Sequence, residues 1–384
     1  MLDGIRVLDF TRHLPGPYAT DLLVRLGAEV TKIEPPQGDP ARWLPPFDGD
    51  FGTLYTLLNR GKRSVVVDLS EDDGVSFVHR LANVCDVAID SWRPGMAEKF
   101  SVDPASLQSI NPRLICCSIS GYGRNNPRSG HDANFVALSG LLDLQRDTEG
   151  RVVLPAAQLG DMGGALYASL LIVASLVERE KSGRGRILDV SMLAAARSLM
   201  PAAEALHHSS PEPDRTFFLT GSFPGYDVYR TKDSRELMVA PLETHFWERF
   251  CRAIGREELI PIQYDETRHE EVRSSVAETI ARRTLAEWEE VFGAVDACVE
   301  PVLTLQEAED RFGTYDETHP LTTNLGGLEA ALEAPGKSLD AIGEEMGLDE
   351  RERKSVRTSR TFHPRKDLKQ RLERAVLRFN LKKR

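Results

Sequence analysis

Ile5-Arg6-Val7-Leu8-Asp9-Phe10 is a short run of β-forming residues, and Glu29-Val30-Thr31-Lys32-Ile33-Glu34 is a second. Between them, a loop over residues 11–17 leads into a helical stretch from Tyr18 to Leu26, and Gly27-Ala28 makes a turn. Strand, loop, helix, turn and strand in this order are typical of a βαβ unit in a parallel sheet. The sequence therefore predicts an α/β fold with a large Rossmann-like domain.

The loop of this unit argues against one group of cofactors. It reads Leu14-Pro15-Gly16-Pro17 and lacks the Gly-x-Gly-x-x-Gly pattern of dinucleotide sites. Further strands are predicted at Val65–Leu69, Val87–Asp90 and Leu114–Ile119. Because open parallel sheets bind ligands at the carboxyl ends of their strands, we expect a ligand site there, but not one for a nicotinamide or flavin.

Composition describes an ordinary globular chain. It has 384 residues, of which 41% are apolar and 28% charged, enough for a large core and two domains. We predict that no apolar run is long enough to cross a bilayer, and the first residues enter a strand without a signal peptide. The five cysteines have no metal-ligand spacing. We expect a cytoplasmic protein with free thiols, no metal and no membrane partner.

Charge is distributed unevenly along the chain. Residues 351–384 contain 14 Lys and Arg against three acids and carry +11, whereas the whole chain carries −11. A basic tail can bind nucleic acid or an anionic membrane, or it can be a solvated helix on an acidic body. Apolar residues at helical spacing from Leu368 favour the last reading, an amphipathic helix. No nucleic-acid partner is expected.

Turn-forming residues and the strand pattern suggest domain boundaries. Residues 206–224 are rich in Pro, Ser and Gly and are predicted to be a linker. Beyond them, a hairpin followed by helices indicates a smaller α+β domain. The predicted organisation is a large domain over 1–205, the linker over 206–224, a small domain over 225–318, a return to the large domain over 319–350, and the tail over 351–384.

Two segments place ionisable side chains at the start of an apolar helical run. They are Gly130-His131-Asp132-Ala133-Asn134-Phe135 and Gly160-Asp161-Met162-Gly163-Gly164. A helix N-terminus offers unpaired N–H donors and partial positive charge, which suits a carbonyl that becomes an enolate. The competing interpretation is that Asp132 and Asp161 are ordinary helix caps and His131 a loop histidine.

Cations gather before a predicted strand, in Asn59-Arg60-Gly61-Lys62-Arg63. Guanidinium groups bind phosphate oxygens in a fork, and glycine lets the backbone approach. Arg93 follows another predicted strand and is a second candidate for such a contact. The alternative is a solvated loop with no ligand.

These segments resemble the family III CoA-transferases of the CaiB/BaiF type, in particular their α-methylacyl-CoA racemase branch. The resemblance extends from Leu2 to about Leu348 and includes the helix-start segments at His131 and Asp161, the Arg93-Pro94-Gly95 turn and the Pro15-Gly16-Pro17 loop. It implies a sheet used for coenzyme A and an interlocked homodimer. The active site would then lie between the large domain of one chain and the small domain of the other.

The resemblance also implies roles for individual residues. His131 and Asp161 would move a proton between the two faces of the α-carbon of a 2-methylacyl-CoA, with Glu243 hydrogen-bonded to His131 and Asp132 orienting the loop. Cations expected near the adenosine and phosphates are Lys32, Arg42, Arg60, Lys62 and Arg63, with Arg93 near the pyrophosphate or pantetheine. Coenzyme A would be part of the substrate, in lipid metabolism, with no other cofactor.

Two alternatives remain. In a CoA-transferase, Asp161 would be the nucleophile and form mixed-anhydride and aspartyl-thioester intermediates. The family's transferases commonly have Tyr where this chain has His131, and an additional proton-transfer group favours the racemase. The third possibility is a non-catalytic protein that binds CoA or nucleic acid through its basic tail.

Overall fold

The computed structural model describes residues 1–147, 149–209, 218–325, 331–358 and 370. They form two compact units. Of these described residues, the first unit contains those within Met1–Leu141 and Pro155–Leu199 and those from Asp316 onward, and the second contains those within Leu142–Leu154 and Met200–Tyr315. The second unit thus includes a short segment, residues 142–154, that lies within the predicted large domain in the sequence.

The strands and helices are numbered in chain order. The strands are β1 Arg6–Asp9, β2 Glu29–Glu34, β3 Phe47–Asp48, β4 Phe51–Gly52, β5 Arg63–Val66, β6 Val87–Asp90, β7 Ile115–Ser120, β8 Ile187–Ser191, β9 Asp227–Arg230, β10 Glu236–Val239 and β11 Val299–Pro301. The helices are α1 Pro15–Arg25, α2 Thr53–Asn59, α3 Asp72–Val84, α4 Met96–Lys99, α5 Pro104–Ile110, α6 Asp132–Ser139, α7 Leu141–Leu144, α8 Leu159–Ser182, α9 Met192–Ser198, α10 Pro201–Ser209, α11 Thr244–Ile254, α12 His269–Ile280, α13 Leu285–Gly293, α14 Leu305–Phe312, α15 Tyr315–Thr318, α16 Pro320–Leu325, α17 Leu339–Glu345 and α18 Glu350–Thr358. Short 3₁₀ helices lie at Pro40–Trp43, Phe218–Thr220, Glu257–Ile262 and Glu266–Arg268.

A six-stranded parallel sheet forms the centre of the first unit, in the order β5-β2-β1-β6-β7-β8. The chain builds β1, β2 and β5 toward one edge, then returns to β6 on the other side of β1 and continues to β8. The strand order therefore reverses between β1 and β6, which is where open α/β sheets bind ligands. The predicted α/β fold with a parallel sheet is confirmed.

Both faces of this sheet are covered, which explains its nearly continuous apolar strands. Val7 and Val30 lie in the buried cluster shared with α1 and α8, whereas Leu8 and Ile33 lie in the cluster shared with α3 and α17. Helix α1 begins at Pro15, three residues earlier than predicted, because proline has a fixed φ that suits the first turn of a helix.

Helix α8 corrects one prediction. With 24 residues and a mean hydropathy of 1.5 over its most apolar 18 residues, it is long and apolar enough to cross a membrane, contrary to the expectation from sequence. Half of that stretch is buried on the sheet, and a buried core helix has the same composition. Leu166 and Leu170 on its other side are 52% and 61% exposed.

The second unit is built on a three-stranded antiparallel sheet in the order β11-β10-β9. Its helices α11, α12 and α13 surround a core that contains Trp247 and Trp288, each 1% exposed. Each indole N–H donates to a backbone carbonyl, that of Leu259 at 3.1 Å and that of Ile280 at 2.8 Å. The sequence predicted a smaller α+β domain, and the second unit has this architecture.

Parts of the predicted linker and tail lie outside the described residues. Of the linker, these are residues 210–217. Helix α18 is described, and its Val356 belongs to the core of the first unit. The amphipathic helix predicted from Leu368 onward falls on residues that the structure does not describe, so it stays a prediction.

Candidate active site

One carboxylate joins the first turns of α6 and α8. Oδ1 of Asp132, the first residue of α6, accepts the backbone N–H of Gly160 at 2.7 Å and that of Asp161 at 3.0 Å. A carboxylate at this position satisfies donors that the helix leaves unpaired and complements its dipole. Because His131 immediately precedes Asp132, both predicted proton-transfer residues lie at this junction.

Glycines allow this close approach. A Cβ on Gly160 would lie 3.1 Å from Oδ1 of Asp132, and a Cβ on Gly164 would lie 2.9 Å from Cγ of Met192 in α9. Larger residues at these two positions would push α8 away from its neighbours. Packing therefore favours glycine at both Gly160 and Gly164, the positions that flank Asp161 and Met162 in this segment.

Asp161 has an unusual electrostatic environment. Burial, and to a smaller extent the negative charge of Asp132, raise its pKa from 3.8 to about 7. A carboxyl group with a pKa near neutrality can both donate and accept a proton at the pH of the cell. Asp161 is thus suited to acid–base chemistry.

His131 is the residue immediately before α6, and its side chain is exposed. Its backbone N–H donates to Oδ1 of Asn134 at 2.9 Å, and the N–H of Asn134 donates back to the His131 carbonyl at 2.8 Å. This reciprocal pair fixes the backbone of the histidine. The Asn134 that belongs to the sequence motif thus has a structural reason to be there.

A second imidazole near this corner was not predicted. His13 follows β1 with φ +66°, an uncommon conformation for a residue other than glycine, and its N–H donates to Oδ1 of buried Asp39 at 3.3 Å. Loss of hydration lowers the pKa of His13, and the charge of His131 acts in the same direction. His13 therefore lies within electrostatic reach of His131. Its position in the loop that follows a predicted strand was the signal available in the sequence.

Glu243 belongs to the second unit, where it is the residue immediately before α11. Its side chain is exposed and does not cap the helix. The buried amide of Gln263 donates to the carbonyl of the preceding Leu242 at 2.8 Å, and the Tyr264 hydroxyl donates to the same carbonyl. The loop is fixed, and the carboxylate of Glu243 forms no ion pair with the part of the chain that the structure describes.

Three of the cations predicted near coenzyme A have their charged groups in the core. The side chains of Lys32, Arg42 and Lys62 are 1%, 0% and 1% exposed, and each is paired with a buried carboxylate. The pairs are Lys32 with Asp39 at 3.0 Å, Arg42 with Glu34 at 2.6 Å, and Lys62 with Asp9 at 3.4 Å. In this arrangement their charges are not accessible to a phosphate, and they tie together the carboxyl ends of β1 and β2.

The other predicted cations are closer to solvent. Arg63 makes a two-fold ion pair with Glu345, at 2.8 and 2.9 Å, and Arg60 pairs with Asp316. Both pairs hold the returning C-terminal segment on the first unit. Arg93, in the loop after β6, has an exposed side chain and makes no ion pair with any residue that the structure describes.

A cavity of about 210 Å³ opens where the strand order reverses. Phe10 and Arg12 follow β1, Gln37 follows β2, and Trp92 follows β6, so its wall comes from several strand ends. The rings of Phe10 and Trp92 are 5.2 Å apart. Phe10 is buried behind Trp92, and an indole ring beside a guanidinium suits a flat, anionic ligand such as a nucleotide. Sequence reasoning missed Arg12 and Trp92, although both come directly after a predicted strand.

Comparison with known proteins agrees with this geometry. A family model described as CoA-transferase family III matches residues 2–324. The α-methylacyl-CoA racemase of Mus musculus is 33% identical over 80% of this chain and 79% of its own. The succinyl-CoA:glutarate CoA-transferase of Homo sapiens is 35% identical over 70% of this chain and 62% of its own. A CAIB/BAIF family protein from Brucella suis, 24% identical, has the same fold with a TM-score of 0.76 over 90% of this chain and 99% of that one.

The chain belongs to CoA-transferase family III. This confirms the family inferred from the sequence motifs. Its relatives are enzymes that are named for acyl-CoA substrates, and they include both racemases and CoA-transferases. The two reaction classes stand at comparable identity, so identity alone does not separate an isomerase from a transferase.

Burial of Arg42 leads to a stability prediction. We expect Arg42→Met to lower the free energy of unfolding by about 3 kcal/mol or more, because it leaves the Glu34 carboxylate buried without its cation. Arg63→Met is the matched control, and its loss should stay within about 1 kcal/mol because the pair is partly solvated. Chemical unfolding measures both. An Arg42→Met protein of normal stability with weakened binding of coenzyme A would contradict the structural role.

The raised pKa of Asp161 leads to a second prediction. Its folded-state pKa of about 7 lies above the ordinary 3.8, so ionisation costs folded-state stability progressively from about pH 4 to about pH 7. Asp161→Asn cannot ionise and should be more stable than the natural protein by roughly 2–4 kcal/mol at about pH 8, but nearly equal to it at about pH 4. Thermal unfolding across this range tests the sign. A variant equally or less stable at high pH would rule out the raised pKa.

Proposed function

We propose that the protein epimerises the α-carbon of a 2-methylacyl-CoA thioester. One of the pair His131 and Asp161 removes the α-proton, and the other returns a proton to the opposite face of the enolate. Inversion requires a base on one side and an acid on the other, with the roles exchanged in the reverse direction. Coenzyme A enters as part of the substrate, and the thioester makes the α-proton more acidic than that of a free acid.

The pKa of about 7 at Asp161 is the observation that carries this proposal. A racemase needs each group to act in both protonation states, and a carboxyl that titrates near neutrality meets this need at little energetic cost. The backbone N–H groups at the start of α6 provide a partial positive charge for the thioester oxygen as it becomes an enolate. The same junction thus supplies both acid–base groups and a polar environment for the intermediate.

The nucleotide end of the substrate has a suitable place in the cavity at the strand-order reversal. Partly exposed Trp92 offers an aromatic face to an adenine, and Arg12 and exposed Arg93 offer guanidinium groups to phosphates. Binding energy from this distant part can be used to position the reacting carbon. The charges of Lys32, Arg42 and Lys62 are buried in ion pairs. These residues would therefore stabilise the strand ends around the cavity without contacting the nucleotide.

Glu243 completes the proposed site from the small unit of a partner subunit. In a homodimer, its carboxylate, which does not cap α11, would accept a hydrogen bond from His131 and fix the orientation of the imidazole. A carboxylate in this role also favours the protonated imidazole. Glu243→Gln should therefore retain the hydrogen bond but lower turnover, and it is the variant that separates orientation from charge.

A CoA-transferase is the second candidate, because relatives with this activity are equally similar to the chain. In that reaction the Asp161 carboxylate attacks the thioester and carries the CoA as an aspartyl thioester. A nucleophilic carboxylate must be ionised. A pKa of about 7 leaves a large share of Asp161 protonated at neutral pH, which favours proton transfer over nucleophilic attack.

Exchange of the α-hydrogen in heavy water tests the proposal directly. A single enantiomer of a 2-methylacyl-CoA should gain deuterium at the α-carbon and appear as the opposite enantiomer, with no acceptor acid present. We expect His131→Ala and Asp161→Asn each to slow inversion by about a hundredfold or more, as for other acid–base groups. Proton NMR follows the exchange, and chiral separation follows the inversion.

His79→Ala, in α3 and away from the site, serves as the control and should turn over like the natural protein. Transfer of CoA from the thioester to a labelled dicarboxylic acid, without α-exchange, would establish the transferase instead. Inversion that survives in His131→Ala would show that the imidazole is not one of the two groups.

A further inference from the structure

A line of polar contacts crosses the carboxyl ends of β6 and β7. Asp90 ends β6, and its Oδ1 accepts the backbone N–H of Trp92, part of the cavity wall, at 3.0 Å. Its Oδ2 accepts the hydroxyl of Ser118 at 2.7 Å. Ser118 lies in β7 and is 5% exposed. One carboxylate thus links the cavity wall to the next strand.

The line continues into the loop that follows β7. Nη1 of Arg124 donates to Oγ of Ser118 at 3.3 Å, and Nη2 donates to Glu98 at 3.2 Å. The backbone N–H of Arg124 donates to the carboxylate of Asp189 in β8, at 3.0 and 3.2 Å. Arg124 is therefore held by its side chain to the cavity side of the sheet and by its backbone to β8.

The loop from Gly121 to Gly130 packs closely against α6 at both of its ends. A Cβ on Gly121 would lie 2.5 Å from Cε1 of Phe135, and one on Gly130 would lie 2.8 Å from the same atom. The rings of Tyr122 and Phe135 are 5.1 Å apart in an edge-to-face arrangement. Both ends of the loop thus lie against Phe135, in α6, and His131 lies at the start of that helix.

We propose that the hydrogen-bonded line Asp90–Ser118–Arg124 couples the cavity to the loop that carries His131. When the nucleotide end of the substrate fills the cavity, the line positions this loop and so raises the rate of the chemical step. The inference rests on the proposed function, since it concerns the same reaction. All three are positioning residues, because they act through Trp92 on one side and through the loop on the other. This role accounts for the polar side chains of Asp90, Ser118 and Arg124, which neither the acid–base chemistry nor the packing of the core requires.

The physical reason is that remote binding energy raises turnover when it is used to orient the reacting groups. Misplacement by a fraction of an ångström at a proton-transfer site is costly, so a small shift of the loop is enough. A connected set of hydrogen bonds carries such coupling when both sites bias its arrangement. The Ser118 hydroxyl joins the two parts of the line, since it donates to Asp90 and its Oγ accepts from Arg124.

The experiment compares one 2-methylacyl group on two carriers, coenzyme A and pantetheine, which lacks the nucleotide. In the natural protein, kcat for inversion should be higher with the CoA thioester. Ser118→Ala should lower that kcat about tenfold and leave the kcat for the pantetheine thioester within about twofold, the size of a typical coupling between sites. Arg124→Gln, in the loop rather than in a strand, should give the same pattern, and Ser118→Thr, which keeps the hydroxyl, should restore the difference.

Ser169→Ala is the matched control, because Ser169 is also a buried serine, 7% exposed, whose hydroxyl donates to Ala165 in α8 at 2.9 Å. It should retain the preference for the CoA thioester. Equal losses on both carriers in Ser118→Ala and Arg124→Gln, or no loss on either, would overturn the inference. A natural protein that inverts neither thioester would instead overturn the proposed function, so the two failures are distinguishable.

Discussion

The proposed chemistry depends on Asp132, a residue of one helix that caps another. Its carboxylate accepts two N–H groups from the first turn of α8 and so places the start of α6 beside the start of α8. The same negative charge, together with burial, moves the pKa of Asp161 to about 7. A single group therefore brings the two candidate acid–base residues to one corner and adjusts the protonation of one of them.

Much of this arrangement can be read from the sequence. The βαβ pattern over residues 5–34 predicts the parallel sheet because strand, helix and turn signals are local. His131 and Asp161 are recognisable because each directly precedes or begins an apolar helical run. The bond from Asp132 to Gly160 joins residues 28 positions apart, and no local pattern encodes it. Asp132 was therefore expected to orient its own loop, whereas the structure gives it a contact with a second helix.

The cations predicted near coenzyme A show what cannot be predicted from the sequence. Lys32 and Arg42 look like phosphate ligands when read along the chain, because charge is visible in a sequence and burial is not. In the fold, each faces a carboxylate that neutralises it. A lysine in the middle of a strand of the central sheet, as at Lys32, indicates such a pair. Conversely, Arg12 and Trp92 line the cavity from positions just after strand ends, and the topology of the sheet brings them together.

The most direct test of this account is the pKa of Asp161, measured by carbon NMR of the labelled carboxyl group. The account predicts a value of about 7 in the natural protein, and a lower value in Asp132→Asn, where the neighbouring charge is removed but burial remains. A titration near the ordinary value of 3.8 in the natural protein, or one that does not move in Asp132→Asn, would contradict it.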